Sequence, residues 1–138
     1  MKHLFLVRHA KSSWADETLS DRERPLNARG ISQLAPLGNT LKSVGAFEGE
    51  IYSSNARRAV ATLQGILPDT VAAERCHTLS ALYTFDYRRL LAWLEEQAEA
   101  PQITLVGHNP ALLELAQSLL KQPPEQLPPA SVIHIRLS

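Results

Sequence analysis

Apolar and polar positions along this chain follow two rhythms. Residues 4–7 are a continuous apolar run that stops at Arg8-His9. Such a run predicts a strand buried on both faces, as central parallel strands are. After a polar loop over 10–24, Ile31, Leu34, Ala35, Leu37, Leu41 and Val44 recur at helical spacing. Asn27 is placed to cap that helix and Gly45 to end it, while Pro36 is expected to kink or delay it. Residues 50–54 read as a second strand, followed by a helix capped by Asn55 and carrying Ala56, Ala59, Val60, Leu63 and Leu67 up to Pro68. Residues 70–81 show no clear period. Asp86 opens an amphipathic helix with Leu90, Leu91, Leu94 and Ala98 on one face, closed by Pro101, and residues 103–106 form a further strand. Gly107-His108-Asn109-Pro110 turns into another helix, with Asn109 as cap and Pro110 at its first position. A Pro-rich surface connection over 122–130 leads to a last strand through Val132, Ile133, Ile135 and Leu137.

Strands alternating with helices predict an α/β fold: a single three-layer domain over residues 1–138, with a mainly parallel central sheet flanked by helices. In open sheets of this kind ligands bind beyond the carboxyl ends of the strands. Three polar clusters fall at those ends: Arg8-His9, residues 53–58, and Gly107-His108-Asn109.

Length and charge narrow the class. At 138 residues with 44% apolar and 20% charged side chains, the composition is that of one globular domain. Fourteen Lys and Arg offset fourteen Asp and Glu, so there is no general positive field for coating nucleic acid or an anionic membrane, and any bound anion must meet a local cluster. Cys76 is the only cysteine, which excludes an internal disulfide and fits a reducing cytoplasm. No apolar run reaches membrane-spanning length. No pair of potential ligands has metal spacing backed by a third, so neither a metal nor an organic cofactor is expected. His3, His77 and His134 are read as structural or surface histidines, and Trp14, Trp93 and the tyrosines as packing residues.

Two histidines and at least two arginines delivered to one rim suit a phosphate-like oxyanion, because guanidinium groups pair with it bidentately and a helix N-terminus adds amides and a favourable dipole. Nearby arginines would also disfavour an imidazolium, leaving a histidine neutral and nucleophilic.

The motifs carry a resemblance as well. Val7-Arg8-His9-Ala10 resembles the Arg-His-Gly signature of the histidine phosphatase (phosphoglycerate-mutase-like) superfamily, with Ala10 in place of glycine. Residues 53–62, Ser-Ser-Asn-Ala-Arg-Arg-Ala-Val-Ala-Thr, are similar to its Ser-Ser-Pro-x-x-Arg-Ala-x-x-Thr segment, with Asn55 replacing proline. Gly107-His108-Asn109-Pro110 matches the segment that supplies a second histidine. The Arg-His-Ala-Lys-Ser start and Asp21-x-x-Arg24-Pro25-Leu26 resemble SixA-like phosphohistidine phosphatases. The resemblance implies a phosphoglycerate-mutase-like fold and a phosphoryl-enzyme mechanism. In it His9 takes the phosphoryl group, Arg8 and Arg58 hold its oxygens, His108 stabilises it, and Arg24, Ser12 and Asn109 help bind phosphate. Arg24 is alternatively an anchor of its loop to Asp21.

The chain departs from ester-cleaving relatives at Thr84, which stands where they carry a general-acid glutamate. An alkoxide leaving group needs that proton, whereas an imidazole can be protonated on its own second nitrogen. The expected function is therefore removal of phosphate from a phosphohistidine in a partner protein by a monomeric cytoplasmic enzyme, with little spare chain for a lid. The alternatives are a small-molecule phosphomonoesterase of the same fold, with Asp86 as acid, and a non-catalytic phosphate or phosphoprotein binding module, for which a nucleophile would be superfluous.

Overall fold

The apolar run at the N-terminus becomes β1 (His3–Arg8), the strand from which the site is built. In this computed structural model, which describes residues 1–137, β1 lies between β4 (Gln102–Gly107), parallel to it, and β5 (Val132–Arg136), antiparallel. Beyond β4 come β2 (Glu50–Ser54) and the edge strand β3 (Cys76–Leu79), both parallel, so the order among the described residues is β3-β2-β4-β1-β5. The weak period over 70–81 has a simple cause: its only strand is a four-residue edge with no fully buried side chain.

Alternation along the central strands divides the apolar residues between two faces. Leu4 and Leu6 of β1 join Ile103, Leu105, Ile133 and Ile135 against α3 (Tyr87–Glu96) and α4 (Ala111–Leu119), which contribute Leu90, Leu94, Leu112 and Leu115. Phe5 and Val7 point the other way, joining Ile51 and Val106 against α1 (Ala28–Ser43) and α2 (Arg57–Ile66). The result is the expected three-layer α/β domain. Among the described residues no helix is long and apolar enough to cross a membrane.

Local chemistry fixes α1 against the loop that follows β1. Asn27 caps it as expected, its side chain accepting from Gly30 N at 2.8 Å. Gly30 is required there, since a Cβ at that position would lie 2.0 Å from the Lys11 carbonyl oxygen. The close approach lets Asn27 N donate to that same carbonyl at 3.0 Å. At the far end Gly45 takes φ 76, the left-handed geometry that ends a helix.

Several expectations need correction. Pro36 neither delays nor interrupts α1, because it sits on the exposed side, where water can serve the Ser32 carbonyl that its ring leaves unpaired. Ile31 and Val44 are exposed, leaving Gly30, Leu37 and Leu41 as the buried face. Asn55 caps nothing: α2 starts later, with Ala56 at its N-cap, and Ser54 Oγ accepts from Ala56 N at 3.0 Å. Asn109 does not cap α4 either, and Pro110 precedes the helix rather than opening it. The Asn109 amide instead donates to the Leu127 carbonyl at 2.9 Å. That bond belongs to the 122–130 connection, which is anchored by Leu127 at 3% exposure.

The two asparagines therefore separate in a denaturation series. Asn27→Ala is expected to cost about 1 kcal/mol, and Asn55→Ala, whose buried Oδ1 has no partner, less than about 0.5 kcal/mol by the usual range for substitutions that remove no specific interaction. Urea midpoints at constant m-value measure both.

Candidate active site

The parallel strands β1, β2 and β4 end on the same side of the sheet, so the chain leaving each of them arrives at one cavity of about 330 Å³. Arg8, His9, Ser12, Arg24, Arg58, His108 and Asn109 all line it. The seven residues assigned to phosphate transfer and binding in the sequence are thus brought to one place.

His9 is almost fully buried, and its two nitrogens have distinct surroundings. Nδ1 lies 2.7 Å from the Ala10 carbonyl oxygen. A carbonyl only accepts, so Nδ1 carries the proton and Nε2 keeps its lone pair. Arg58 Nε donates to that Nε2 at 3.3 Å. Burial pushes the His9 pKa down to about 4, with Arg58, Arg8 and Arg24 adding to the effect, although the Ala10 bond opposes it. The imidazole is neutral at physiological pH.

The spacing of the α2 motif explains how His9 is held. Arg58 and Thr62 lie one turn apart on the same helix face. While Arg58 reaches His9, Thr62 Oγ1 donates to the Arg58 carbonyl at 2.8 Å and accepts from Ala10 N at 3.0 Å, fixing the residue whose carbonyl sets the His9 tautomer.

Arg58 is the centre of the site, a guanidinium at 2% exposure. It donates through Nη1 to the Asp21 carbonyl at 2.6 Å and through Nη2 to Asp21 Oδ2 at 2.9 Å. The same Nη2 stands 3.4 Å from His108 Nδ1. On its other side, His108 Nε2 lies 2.8 Å from Ser54 Oγ. Burial lowers the His108 pKa to about 3, reinforced by His9 and Arg58.

Asp21 was read in the sequence only as a possible anchor for Arg24, and the structure gives it more to do. Its Oδ1 accepts from Arg24 Nε at 3.2 Å, and its Oδ2 accepts from Tyr83 Oη at 2.5 Å as well as from Arg58. Partial burial alone would raise its pKa, but the bonds from Tyr83 and Arg58 and the Arg58 charge hold it at about 2. Arg24 also donates to Ser12 Oγ at 2.8 Å, so loop anchoring and pocket lining are one arrangement. Arg8 Nη1 donates to the Leu127 carbonyl at 3.1 Å, while its buried Nε has no protein partner.

The cavity therefore carries Arg8, Arg24, Arg58 and Lys11 against one carboxylate, Asp21, in a chain of zero net charge. An excess of fixed donors around a neutral imidazole suits a multiply charged oxyanion. Among the described residues no three His, Cys, Asp or Glu side chains converge in a way that could hold a metal ion.

A family model, "Histidine phosphatase superfamily (branch 1)", matches residues 4–87. The chain belongs to this superfamily. Its fold is shared with a protein of Agrobacterium tumefaciens assigned as the phosphohistidine phosphatase SixA, at TM-score 0.85 and 22% identity over 98% of this chain and 91% of that one. The protein histidine phosphatase SixA in complex with tungstate superposes at TM-score 0.79, with 21% identity over 98% and 88% of the chains. An Escherichia coli protein assigned as an alpha-ribazole-5'-P phosphatase superposes at TM-score 0.76, with 20% identity over 100% and 92%. An uncharacterized chloroplastic protein of Arabidopsis thaliana is 29% identical over 86% of this chain, which spans 59% of that relative's length. His108 lies beyond the matched residues 4–87 and reaches the site through the fold.

Two further readings change in this histidine phosphatase domain. Trp14 is no packing residue: it is 74% exposed at the cavity mouth, with the Arg24 guanidinium 3.5 Å from its ring centre. Asp86 does not line the cavity, and its carboxylate is engaged by Arg88 N at 3.0 Å and Arg88 Nε at 3.2 Å. Thr84 Oγ1 accepts from Asp86 N at 3.1 Å and is likewise absent from the cavity wall. Asp21, Tyr83 and Ser54 are the site residues that sequence reasoning missed. For Asp21 and Ser54 a signal existed, since both lie inside the recognised motifs.

The histidine pKa values have a consequence for stability. Both histidines are neutral in the folded domain down to pH about 4 and about 3, whereas in the unfolded chain they protonate near 6.5. Over that window the unfolded state binds more protons, so stability falls as pH drops, by at most roughly 1.4 kcal/mol per pH unit per histidine. The Asp21 contribution, in contrast, is lost only as pH falls toward 2. In phosphate-free buffer, His9→Gln is expected to flatten the denaturation free energy against pH between 6 and 4.5 relative to the parent.

Proposed function

We propose that this domain is a phosphohistidine phosphatase that hydrolyses the phosphoryl group of a histidine on a partner protein through a phospho-His9 intermediate. The observation that carries the reading is the His9 Nε2 lone pair, held in a cavity whose only carboxylate is already bound by two arginines and a tyrosine. A nucleophile and an oxyanion cradle are present, and among the described residues the cavity holds no free carboxylate to serve as a general acid. The cradle accounts for phosphate-like anion binding, and the named activities of the SixA relatives support the same substrate class. A lone cysteine fits a reducing cytoplasm, and a monomer is part of this proposal.

The proton balance suits a P–N bond. Nε2 of His9 attacks phosphorus, the P–N bond breaks, and its electron pair returns to the leaving imidazole. That ring already carries a proton on its second nitrogen and departs neutral. His9 keeps its Nδ1 proton on the Ala10 carbonyl, so the phosphorylated ring is cationic and a good leaving group in turn. Water then attacks phosphorus, the pair returns to Nε2, and both water protons leave with the phosphate. Arg8, Arg24 and Arg58 stabilise the equatorial oxygens in both steps. His108 adds a further donor to them in the tautomer that carries its proton on Nδ1 and accepts from Ser54 Oγ at Nε2.

The decisive experiment compares phosphate release from a phosphohistidine protein with release from a panel of phosphate monoesters under identical conditions. A kcat/KM at least tenfold higher for phosphohistidine is expected, and the reverse order establishes a small-molecule phosphomonoesterase. His9→Ala abolishes label trapped on the enzyme. Arg58→Ala lowers kcat by about 10²–10³, whereas exposed Arg57→Ala stays within about threefold, as for substitutions away from specific contacts.

A further inference from the structure

Both protein cores are closed without Trp14 and Phe85. These large side chains remain 74% and 45% exposed, and both line the cavity that holds His9. Neither ring is loosely placed. Trp14 is stacked on the Arg24 guanidinium, which is itself fixed by Ser12 and Asp21. The Phe85 ring lies 5.6 Å from that of Tyr83, in edge contact, and 5.5 Å from that of His108. Apolar surface held in position at the mouth of a strongly cationic cavity is costly to leave wet and is gained back when a ligand covers it.

The reaction geometry says what that ligand is. An in-line displacement puts the leaving atom on the side of phosphorus opposite the nucleophile. His9 is almost fully buried whereas Trp14 and Phe85 are open to solvent, so a leaving group opposite the nucleophile faces the exposed rim. We propose that Trp14 and Phe85 are specificity-determining residues that receive the planar ring of the leaving group, and so select phosphorylated imidazole over ringless phosphoryl donors. This inference rests on the phosphohistidine reading above for the identity of the ring. The two side chains act by stacking and by excluding water from one side of the scissile bond.

The test compares phosphohistidine with phosphoramidate, which offers the same P–N bond with no ring. The ratio of their kcat/KM values is expected to fall about 3–10-fold in Phe85→Leu and in Trp14→Ala, with phosphoramidate turnover the less affected, and to be largely kept in Trp14→Phe. Equal losses on both substrates, or an unchanged ratio in Phe85→Leu, overturn the inference while leaving the phosphohistidine reading standing. If the parent cleaves esters and no P–N bond, that reading fails instead. The same variants are then compared on aryl against alkyl phosphates: a collapse of that preference keeps the aromatic mouth, and its persistence removes it.

Discussion

A guanidinium with almost no access to water must be matched by fixed partners, and Arg58 imposes that condition on everything around it. It stands in the first turn of α2, where the helix dipole adds to its positive charge. Its donors are directed at His9, at His108 and at two different oxygens of Asp21. Removing Asp21 would strand a buried cation. Removing Arg58 would leave two imidazoles and a carboxylate with no common partner. The requirement ties the 3₁₀ turn Asp21–Glu23 to α2 and to the ends of β1 and β4, segments that share no sequence neighbourhood.

The same network separates the roles of charge. Asp21 offsets part of the arginine charge, and its low pKa removes it as a proton donor. The remaining positive charge is left for an oxyanion. The two histidines are kept neutral chiefly by burial, so one offers a lone pair and the other an adaptable nitrogen whose proton is governed by Ser54. In the proposed transfer between two imidazoles, leaving group and nucleophile are chemically alike, so this pairing of a strongly bound acid with a desolvated base needs no strong acid.

Attachment of the site to rigid parts follows from simple geometry. Backbone bonds hold the first loop at both ends: His9 N donates to the Gly107 carbonyl at 3.2 Å, and Asn27 N to that of Lys11 at 3.0 Å. Ala130 N donates to the carbonyls of Arg8 and His9 at 3.2 and 3.1 Å, which draws the Pro-rich segment in as a wall of the cavity. The 122–130 stretch, read in the sequence as a surface connection, is part of this scaffold, and Leu127 supplies both a buried side chain and the carbonyl that Arg8 and Asn109 share.

Periodicity and strand-end clusters by themselves determined the α/β class and the three layers, because these depend on local pattern and on the rule that parallel strands deliver their ends to one side, and the motif resemblance pointed to seven of the residues that line the cavity. Asn27 and Asp86 were legible as caps for the same reason: a cap is satisfied within three residues. Asn55 and Asn109 have the same local signature, yet their fates were decided by where Ser54 and Leu127 lie, which no window of sequence contains. Only the tertiary structure decided that Asp21 would serve two arginines and Tyr83, that Asp86 would turn to Arg88, and that Trp14 would stand at the mouth. Each of these is a choice among several chemically acceptable partners. The choice is made by distance in space, because hydrogen bonds and ion pairs act over a few ångströms.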